Sequence, residues 1–262
     1  MDHKEVGRMW DENAPVWTEF ARKGYDVYRD LVNTPAFMRM LPDVNGLDGL
    51  DIGCGEGHNT RLVAERGANM TAIDISETFI RQAVEKERDD PHGITYIKAS
   101  AIELPFPNEV FDFEMATMSL MDVPEQDKVV AEAYRVLKPG GFLQFSITHP
   151  CFWTAGSKWM RNEDGEQMGM LINDYFENKQ GIVEEWLFGG APKELKEKRR
   201  KFRIPRFFRT LSGWVNLIAD AGFRIEKMDE PFADEETAKK CPRVADTRLV
   251  GYFLIVLCRK PI

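Results

Sequence analysis

The stretch that most constrains the fold is Asp51 to His58, where an aspartate is followed by a glycine at every second position. Glycine lacks a Cβ and adopts positive φ, so Gly53, Gly55 and Gly57 allow a sharp turn from a strand into a helix, with backbone amides against a ligand. A dinucleotide-binding loop has the spacing G-x-G-x-x-G, and His58 occupies the position of its third glycine. The spacing therefore argues against a nicotinamide-dependent dehydrogenase. A glycine-rich turn with no ligand is the simplest alternative.

The residues after the loop predict the next two elements of an α/β unit. Residues 59–66 have a helical pattern that stops at Gly67, and Asn69–Asp74 is a short apolar run ending in an acid. Asp74 lies 23 residues after Asp51. An acid at this distance lies at the tip of the second parallel strand, where its two oxygens can accept both hydroxyls of a ribose. The alternative is a helix N-cap, but Ser76 already fills that role.

The alternation of strands and helices continues to residue 148. Two further strands are predicted at 94–98 and 110–117, and a helix over 125–137 is closed by Lys-Pro-Gly-Gly at 138–141. A fifth strand follows at 142–148. This order predicts the alternating α/β class of fold.

Two motifs carry a resemblance to a known family. The acid-x-G-x-G-x-G pattern at 51–57 and Leu-Lys-Pro-Gly-Gly at 137–141 resemble the class I S-adenosylmethionine-dependent methyltransferases. The resemblance covers about residues 46–150 and resumes from 212 to the C-terminus. It implies a doubly wound, seven-stranded, mostly parallel sheet of the Rossmann-like methyltransferase fold, in the order 3-2-1-4-5-7-6. The sixth strand would be 223–228, and the antiparallel seventh 252–258.

The resemblance also implies S-adenosylmethionine as the cofactor and a set of residues around it. Ser100 stands where the family usually has an aspartate that contacts the adenine, and a hydroxyl makes a weaker contact. Cys54 is expected to act as a small apolar filler. The predicted cofactor contacts are Asp51, Gly53, Cys54, Gly55, Gly57, Asp74, Ile75, Ser100, Ala101, Thr117, Met118 and Tyr28.

Two regions fall outside the common core of 46–150 and 210–262. Residues 1–45 are expected to form a helical lid, whose aromatic side chains either fold over the cofactor or pack the helices onto the sheet. Residues 151–209 are too long for a simple connection and predict an inserted, aromatic-rich cap, with a hairpin formed by 182–188 and 201–208. Such a cap suits an apolar or planar acceptor, although part of its aromatic content would form its own core.

These features favour a methyltransferase that acts on a small molecule. The alternatives are an RNA or protein methyltransferase, although no Asn-Pro-Pro-Tyr-type motif follows strand four, and a cofactor-binding protein without catalysis. His149, directly after strand five, is the candidate general base and is expected to face the acceptor. The alternative is a loop histidine bonded to the backbone.

Charge and cysteine content limit the other classes. A net charge of −8 argues against nucleic-acid binding by the whole surface. Nine basic residues at 193–209 form either a patch for an anion or pairs across the hairpin with Glu184 and Glu185. The four cysteines lack C-x-x-C spacing, so no metal site or disulfide framework is predicted. Without a long apolar run or a secretory signal, we expect a cytoplasmic monomer or homodimer that does not enter a membrane.

Overall fold

A computed structural model describes residues 1–177 and 179–262 and shows helices alternating with strands. The α-helices are α1 (His3–Arg22), α2 (Thr34–Met40), α3 (His58–Ala64), α4 (Glu77–Asp89), α5 (Gln126–Val136), α6 (Lys193–Lys198), α7 (Leu211–Asp220) and α8 (Glu235–Lys240). The strands are β1 (Asp48–Ile52), β2 (Asn69–Asp74), β3 (Thr95–Lys98), β4 (Phe111–Thr117), β5 (Leu137–Thr148), β6 (Lys158–Arg161), β7 (Gln167–Leu171), β8 (Gln180–Trp186), β9 (Phe202–Phe207), β10 (Arg224–Asp229) and β11 (Phe253–Arg259). A π-helical turn spans Arg29–Asn33, and 3-10 turns span Leu120–Asp122 and Pro242–Arg248.

Seven strands form the central sheet in the order β3-β2-β1-β4-β5-β11-β10. β11 is antiparallel to both of its neighbours, and the other pairs are parallel. The predicted Rossmann-like methyltransferase fold and strand order are thus confirmed. Asp51 pairs with Ala72 of β2 on one side and with Met115 of β4 on the other. The carboxyl ends of these three parallel strands therefore open at the same edge of the sheet, where ligands of such sheets bind.

The core lies on both faces of this sheet. Side chains of α2 and α3 pack around Phe113 and Met115 on one face. Side chains of α5 and α7 pack around Phe145 on the other, with Trp214 contributing from α7. Because the central strands are covered on both faces, they are buried along most of their length, as expected for a parallel sheet.

The first helix and the cap hairpin share a third core. β8 and β9 pair antiparallel, which confirms the hairpin predicted from sequence. The Trp17 ring lies 4.6 Å from the Phe188 ring and 4.8 Å from the Phe202 ring, measured between centroids. The Asn13 amide donates to the Arg203 carbonyl at 2.8 Å and accepts from its N–H at 2.9 Å. We call α1 and the β8–β9 hairpin together the roof.

The roof is also tied to the sheet domain. Asp11 of α1 accepts hydrogen bonds from the Ser76 hydroxyl at 2.7 Å and the Thr78 amide at 3.0 Å, at the start of α4. Thr18 donates to Gln82 at 2.6 Å. The roof therefore covers the edge at which the parallel strands end. Within the two described stretches, no helix is long and apolar enough to cross a bilayer.

Candidate functional site

The three glycines of the loop all adopt positive φ, at 79° for Gly53, 55° for Gly55 and 83° for Gly57. A Cβ at Gly53 would lie 2.5 Å from the Ser119 Cβ, and one at Gly57 would overlap the Tyr96 hydroxyl. At Gly55, no atom of the described residues other than Gly55 and its two chain neighbours lies within 4 Å of the Cβ position. Packing within the protein therefore requires glycine at positions 53 and 57, whereas Gly55 borders open space.

Asp74 lies beside that space at the end of β2. Its Oδ2 accepts the Gly55 amide at 2.9 Å, and its Oδ1 accepts the Ser76 amide at 2.8 Å. Burial raises the pKa of Asp74 to about 6, and these two hydrogen bonds oppose the shift. Each carboxylate oxygen keeps a further lone pair, so Asp74 can still accept hydroxyl donors. The open space at Gly55 and the free acceptor capacity of Asp74 fit a cofactor that brings a ribose against the loop.

A cavity of about 610 Å³ extends from the loop to the underside of the roof. Its wall brings together most of the predicted cofactor contacts, namely Gly53, Cys54, Gly55, Asp74, Ile75, Ser100, Ala101, Thr117, Met118 and Tyr28. Met118 has a φ of 56°, a left-handed conformation that costs a non-glycine residue about 1–3 kcal/mol and is frequent at functional sites.

Asp51 and Gly57 lie behind this wall. Asp51 is fully buried, and its Oδ2 accepts a 2.6 Å hydrogen bond from Thr60 of α3. Its Oδ1 has no hydrogen-bond partner among the described residues. Burial raises the pKa of Asp51 to about 7. In this structure Asp51 supports the loop from beneath, and its direct contact with a cofactor stays a prediction.

His149, which the sequence predicted to face the acceptor, is not among the residues that line the cavity. Only 2 % of its side chain is exposed, and its Nε2 lies 2.6 Å from the Oε1 of Glu230. Its Nδ1 accepts the Cys151 amide at 3.2 Å, so Nε2 carries the proton and donates to Glu230. Both ring nitrogens are therefore occupied. The hydrogen bond from the Cys151 amide is the backbone contact expected of a loop histidine, which was the alternative interpretation of the sequence. It orders the chain directly after β5.

Tyr28 is oriented by residues that the sequence did not single out. Its hydroxyl lies 2.8 Å from the Oδ2 of Asp246, which also accepts the Tyr252 hydroxyl at 2.8 Å. The Tyr28 and Tyr252 rings stack at 4.9 Å, and both line the cavity. The connection between β10 and β11 thus forms part of the wall. The sequence of this connection does not reveal that it lines the cavity, because its contacts with Tyr28 join residues more than 200 positions apart.

Glu56, inside the glycine loop, joins the loop to the N-terminal residues 1–45, which the sequence analysis called the lid. Its buried carboxylate lies 3.2 Å from Arg22 of α1, 3.5 Å from Arg29 of the π-helical turn and 3.6 Å from Arg61 of α3. Arg29 also donates to the Ala21 carbonyl at 3.2 Å. A buried carboxylate is tolerated when cations pair with it, so these contacts fix the lid against the loop.

The basic stretch of 193–209 is largely paired with acids. Arg199 lies 2.8 Å from Glu19, Arg200 lies 2.7 Å from Glu12, and Arg203 lies 3.8 Å from Glu185. Arg206 is buried at the cavity wall, between Asp122 at 2.5 Å and Glu184 at 3.1 Å. The predicted pairing with Glu184 and Glu185 is thus confirmed. The position of Asp122 in this cluster was not foreseen, because it follows β4 and meets the hairpin only in three dimensions.

The comparisons with known proteins agree with this architecture. Residues 50–145 match the protein family described as "Methyltransferase domain". An S-adenosylmethionine-dependent methyltransferase from Mesorhizobium loti, of known crystal structure, is 27 % identical, with a TM-score of 0.69 over 86 % of this chain and 96 % of that chain.

Two relatives show how far the similarity reaches. A demethylmenaquinone methyltransferase from Listeria welshimeri is 36 % identical over 110 residues, which are 40 % of this chain and 47 % of that enzyme. An uncharacterized protein from Haemophilus influenzae is 26 % identical over 219 residues, 79 % of each chain. The chain thus spans about half the length of the Listeria enzyme.

The sheet order and the glycine-loop cavity define a Rossmann-like domain of the type that binds a nucleoside-containing cofactor. Together with these matches, they make the chain similar to the class I S-adenosylmethionine-dependent methyltransferases, with the family match lying within residues 50–145. The resemblance found in the sequence is thus confirmed.

The buried carboxyl of Asp51 predicts a pH-dependent stability. Its pKa is about 7 in the folded protein and about 3.9 in the unfolded chain, so the folded state holds the proton more tightly between these values. The wild type should therefore lose stability relative to Asp51→Asn as the pH rises from about 4 to about 7. Urea unfolding at several pH values measures this difference. A difference that does not change with pH would contradict a protonated Asp51.

Proposed function

We propose that this chain is an S-adenosylmethionine-dependent methyltransferase acting on a small-molecule acceptor enclosed beneath the roof. The observation that carries the proposal is the continuity of the cavity, which is lined at one end by Gly55 and Asp74 and at the other by Trp186 and Phe188 of the hairpin. Its volume of about 610 Å³ lies within the roughly 300–1,000 Å³ of small-molecule sites. Cofactor and acceptor could therefore share one enclosed space.

Each part of the cavity wall has a proposed role toward the cofactor. Asp74 would accept the ribose hydroxyls, and Ser100 with Ala101 would lie along the adenine. Gly53, Cys54 and Gly55 would pass beside the cofactor, with Ile75 packing against it. Thr117, Met118 and Tyr28 would surround its reactive end, and Asp51 would support the loop. When bound, S-adenosylmethionine supplies a methyl group on a positively charged sulfur.

The protein's main task is then alignment and exclusion of water. Methyl transfer is an in-line displacement, and holding the reactants in line can contribute roughly 7–11 kcal/mol in favourable cases. Trp17 and Phe188 of the roof line the cavity and pack against each other, so they would help to exclude water from the site. His149 is not proposed as a base, because both of its ring nitrogens are engaged. It acts as a positioning residue for the cap.

The roof also favours a small acceptor over RNA or protein. A polymer would need an open groove, whereas here α1 and the hairpin bury aromatic side chains against each other. The arginines of the hairpin that could form a nucleic-acid surface, such as Arg199, Arg200 and Arg203, are paired with carboxylates. The name of the Listeria relative gives demethylmenaquinone as its acceptor. An aromatic wall suits a planar ligand of that kind. The match to that enzyme covers less than half of either chain, so it does not identify the acceptor.

The cofactor proposal predicts selective binding that depends on Asp74. Isothermal titration should show affinity for S-adenosylmethionine and its demethylated product, and much weaker affinity for NAD. Each charged hydrogen bond contributes about 1.5–3 kcal/mol, and 1.4 kcal/mol corresponds to a factor of ten. Asp74→Ala should therefore weaken cofactor binding by about tenfold or more. Asp90→Ala, at an exposed ion pair with Lys86, is the matched control and should bind normally. Binding of NAD alone would contradict the proposal.

The open space at Gly55 predicts a steric effect specific to the ligand. Gly55→Val should abolish cofactor binding, because the side chain would occupy the cavity. Gly93→Val is the matched control, since Gly93 also has positive φ, at 78°, and open surroundings, but lies outside the cavity wall. Both variants should lose stability through backbone strain. Equal cofactor affinity in the two variants would show that the cofactor lies elsewhere.

The acceptor class predicts where a labelled methyl group will appear. Cofactor carrying a tritiated methyl group is incubated with the protein and a metabolite extract, beside nuclease-treated and untreated RNA. Label should enter the low-molecular-mass fraction and be unaffected by nuclease. Label confined to RNA or protein would favour the polymer alternatives. Cofactor binding without any transfer would favour a non-catalytic protein.

A further inference from the structure

Three charged side chains meet where the hairpin contacts the segment after β4. The Nη1 of Arg206 donates to the Oδ1 of Asp122 at 2.5 Å, and its Nε donates to the Oε2 of Glu184 at 3.1 Å. All three residues line the cavity. Asp122 and Arg206 are buried, whereas 38 % of the Glu184 side chain is exposed.

This cluster has two carboxylates for one guanidinium. When both acids are ionised, it carries one negative charge that no partner within the cluster balances. Burial raises the pKa of Asp122 to about 7 although Arg206 lies beside it. The extra negative charge lies beside the buried Asp122, and only the exposed part of Glu184 is open to solvent, so a proton or a cation from the ligand would stabilise the cluster.

Acids outnumber the permanently charged cations in the rest of the cavity. Its wall includes five acids, two arginines and two histidines, namely Asp26, Glu56, Asp74, Asp122, Glu184, Arg29, Arg206, His3 and His58. His3 lies 3.7 Å from Glu125, and burial lowers the pKa of His58. Arg29 is engaged with Asp30 at 2.7 Å and with Glu56 at 3.5 Å. An anionic ligand at this end would approach Arg206 only beside two carboxylates, and would be repelled by them.

The neighbouring side chains favour an organic cation in particular. Trp186, Phe188 and Phe208 belong to the hairpin or its immediate flanks and line the same cavity. The faces of aromatic rings attract ammonium groups, and the attraction grows when water is excluded. Carboxylates together with aromatic rings therefore suit a ligand with an ammonium group on an apolar or aromatic body.

We propose that this end of the cavity selects an acceptor carrying a cationic amine, with Glu184 and Asp122 as the specificity-determining residues. Arg206 is a positioning residue that holds the two carboxylates at the wall. The inference rests on the proposed function and makes it more specific. It distinguishes this protein from the Listeria relative, whose name gives demethylmenaquinone as the acceptor.

The test compares three probes with the same aromatic body and different charge. These are 2-naphthylmethylamine, 2-naphthylmethanol and 2-naphthoate, titrated into the full chain near neutral pH and followed by isothermal titration. The amine should bind about tenfold more tightly than the alcohol, and the carboxylate should bind most weakly. Glu184→Gln should remove most of the preference for the amine while keeping the shape of the side chain.

Glu185→Gln is the matched control. Glu185 is adjacent on β8, is 57 % exposed, and pairs with Arg203 outside the cavity wall. This variant should keep the wild-type preference. Asp122→Asn is a second variant, and its circular dichroism and melting temperature show whether it still folds.

Three outcomes would overturn the inference: equal or tighter binding of the carboxylate, no difference between the amine and the alcohol, or no binding of the amine at millimolar concentration. A separate titration with S-adenosylmethionine distinguishes failure of this inference from failure of the proposed function. Cofactor binding without amine selectivity would overturn the inference alone. Amine selectivity without cofactor binding would overturn the proposed function.

Discussion

The carboxylate of Glu56 is the contact on which the geometry of the site depends. It belongs to the glycine loop, yet its partners come from α1, from the π-helical turn and from α3. Burying a carboxylate is unfavourable unless cations pair with it. The conformation of the loop and the position of the lid are therefore coupled. Moving residues 1–45 away would remove Arg22 and Arg29 from Glu56 and leave Arg61 of α3 beside it.

The cofactor end and the acceptor end of the cavity differ in how the chain builds them. Residues 50–145 form one family match and supply most of the wall beside the glycine loop. The opposite wall joins α1, the cap hairpin and the β10–β11 connection, which are far apart in sequence. Such a division allows different acceptor sites to be built beside the same cofactor site, because one fold can host many substrates through its peripheral segments.

The sequence predicted the elements well where local chemistry determines them. β2 was expected at Asn69–Asp74 and is found there, because an apolar run is bounded by Gly67 and by the N-cap Ser76. The strand order came from the resemblance, since periodicity by itself predicts only the α/β class. The position of Asp74 at the end of β2 followed from motif spacing.

The sequence did not predict features that depend on distant partners. His149 was correctly placed at the end of β5, but the direction of its ring is determined by Glu230, 81 residues later. The contact of Asp122 with Arg206 has the same origin, because Asp122 follows β4 whereas Arg206 lies on β9. The shared core of α1 and the hairpin was missed because helical spacing shows which side chains lie on one face, and not what covers that face.

The shared core of the roof has a consequence for the order in which the molecule assembles. Asn13 and Arg203 are separated by 190 residues, so α1 leaves the ribosome long before its partner strand exists. The sheet formed by β1 to β5 can assemble meanwhile from contacts that are closer in sequence. During this interval Trp17 and Phe20 are without the hairpin that later covers them. Closing so long a loop is slow, so the enclosed chamber is expected to be among the last parts of the nascent chain to mature.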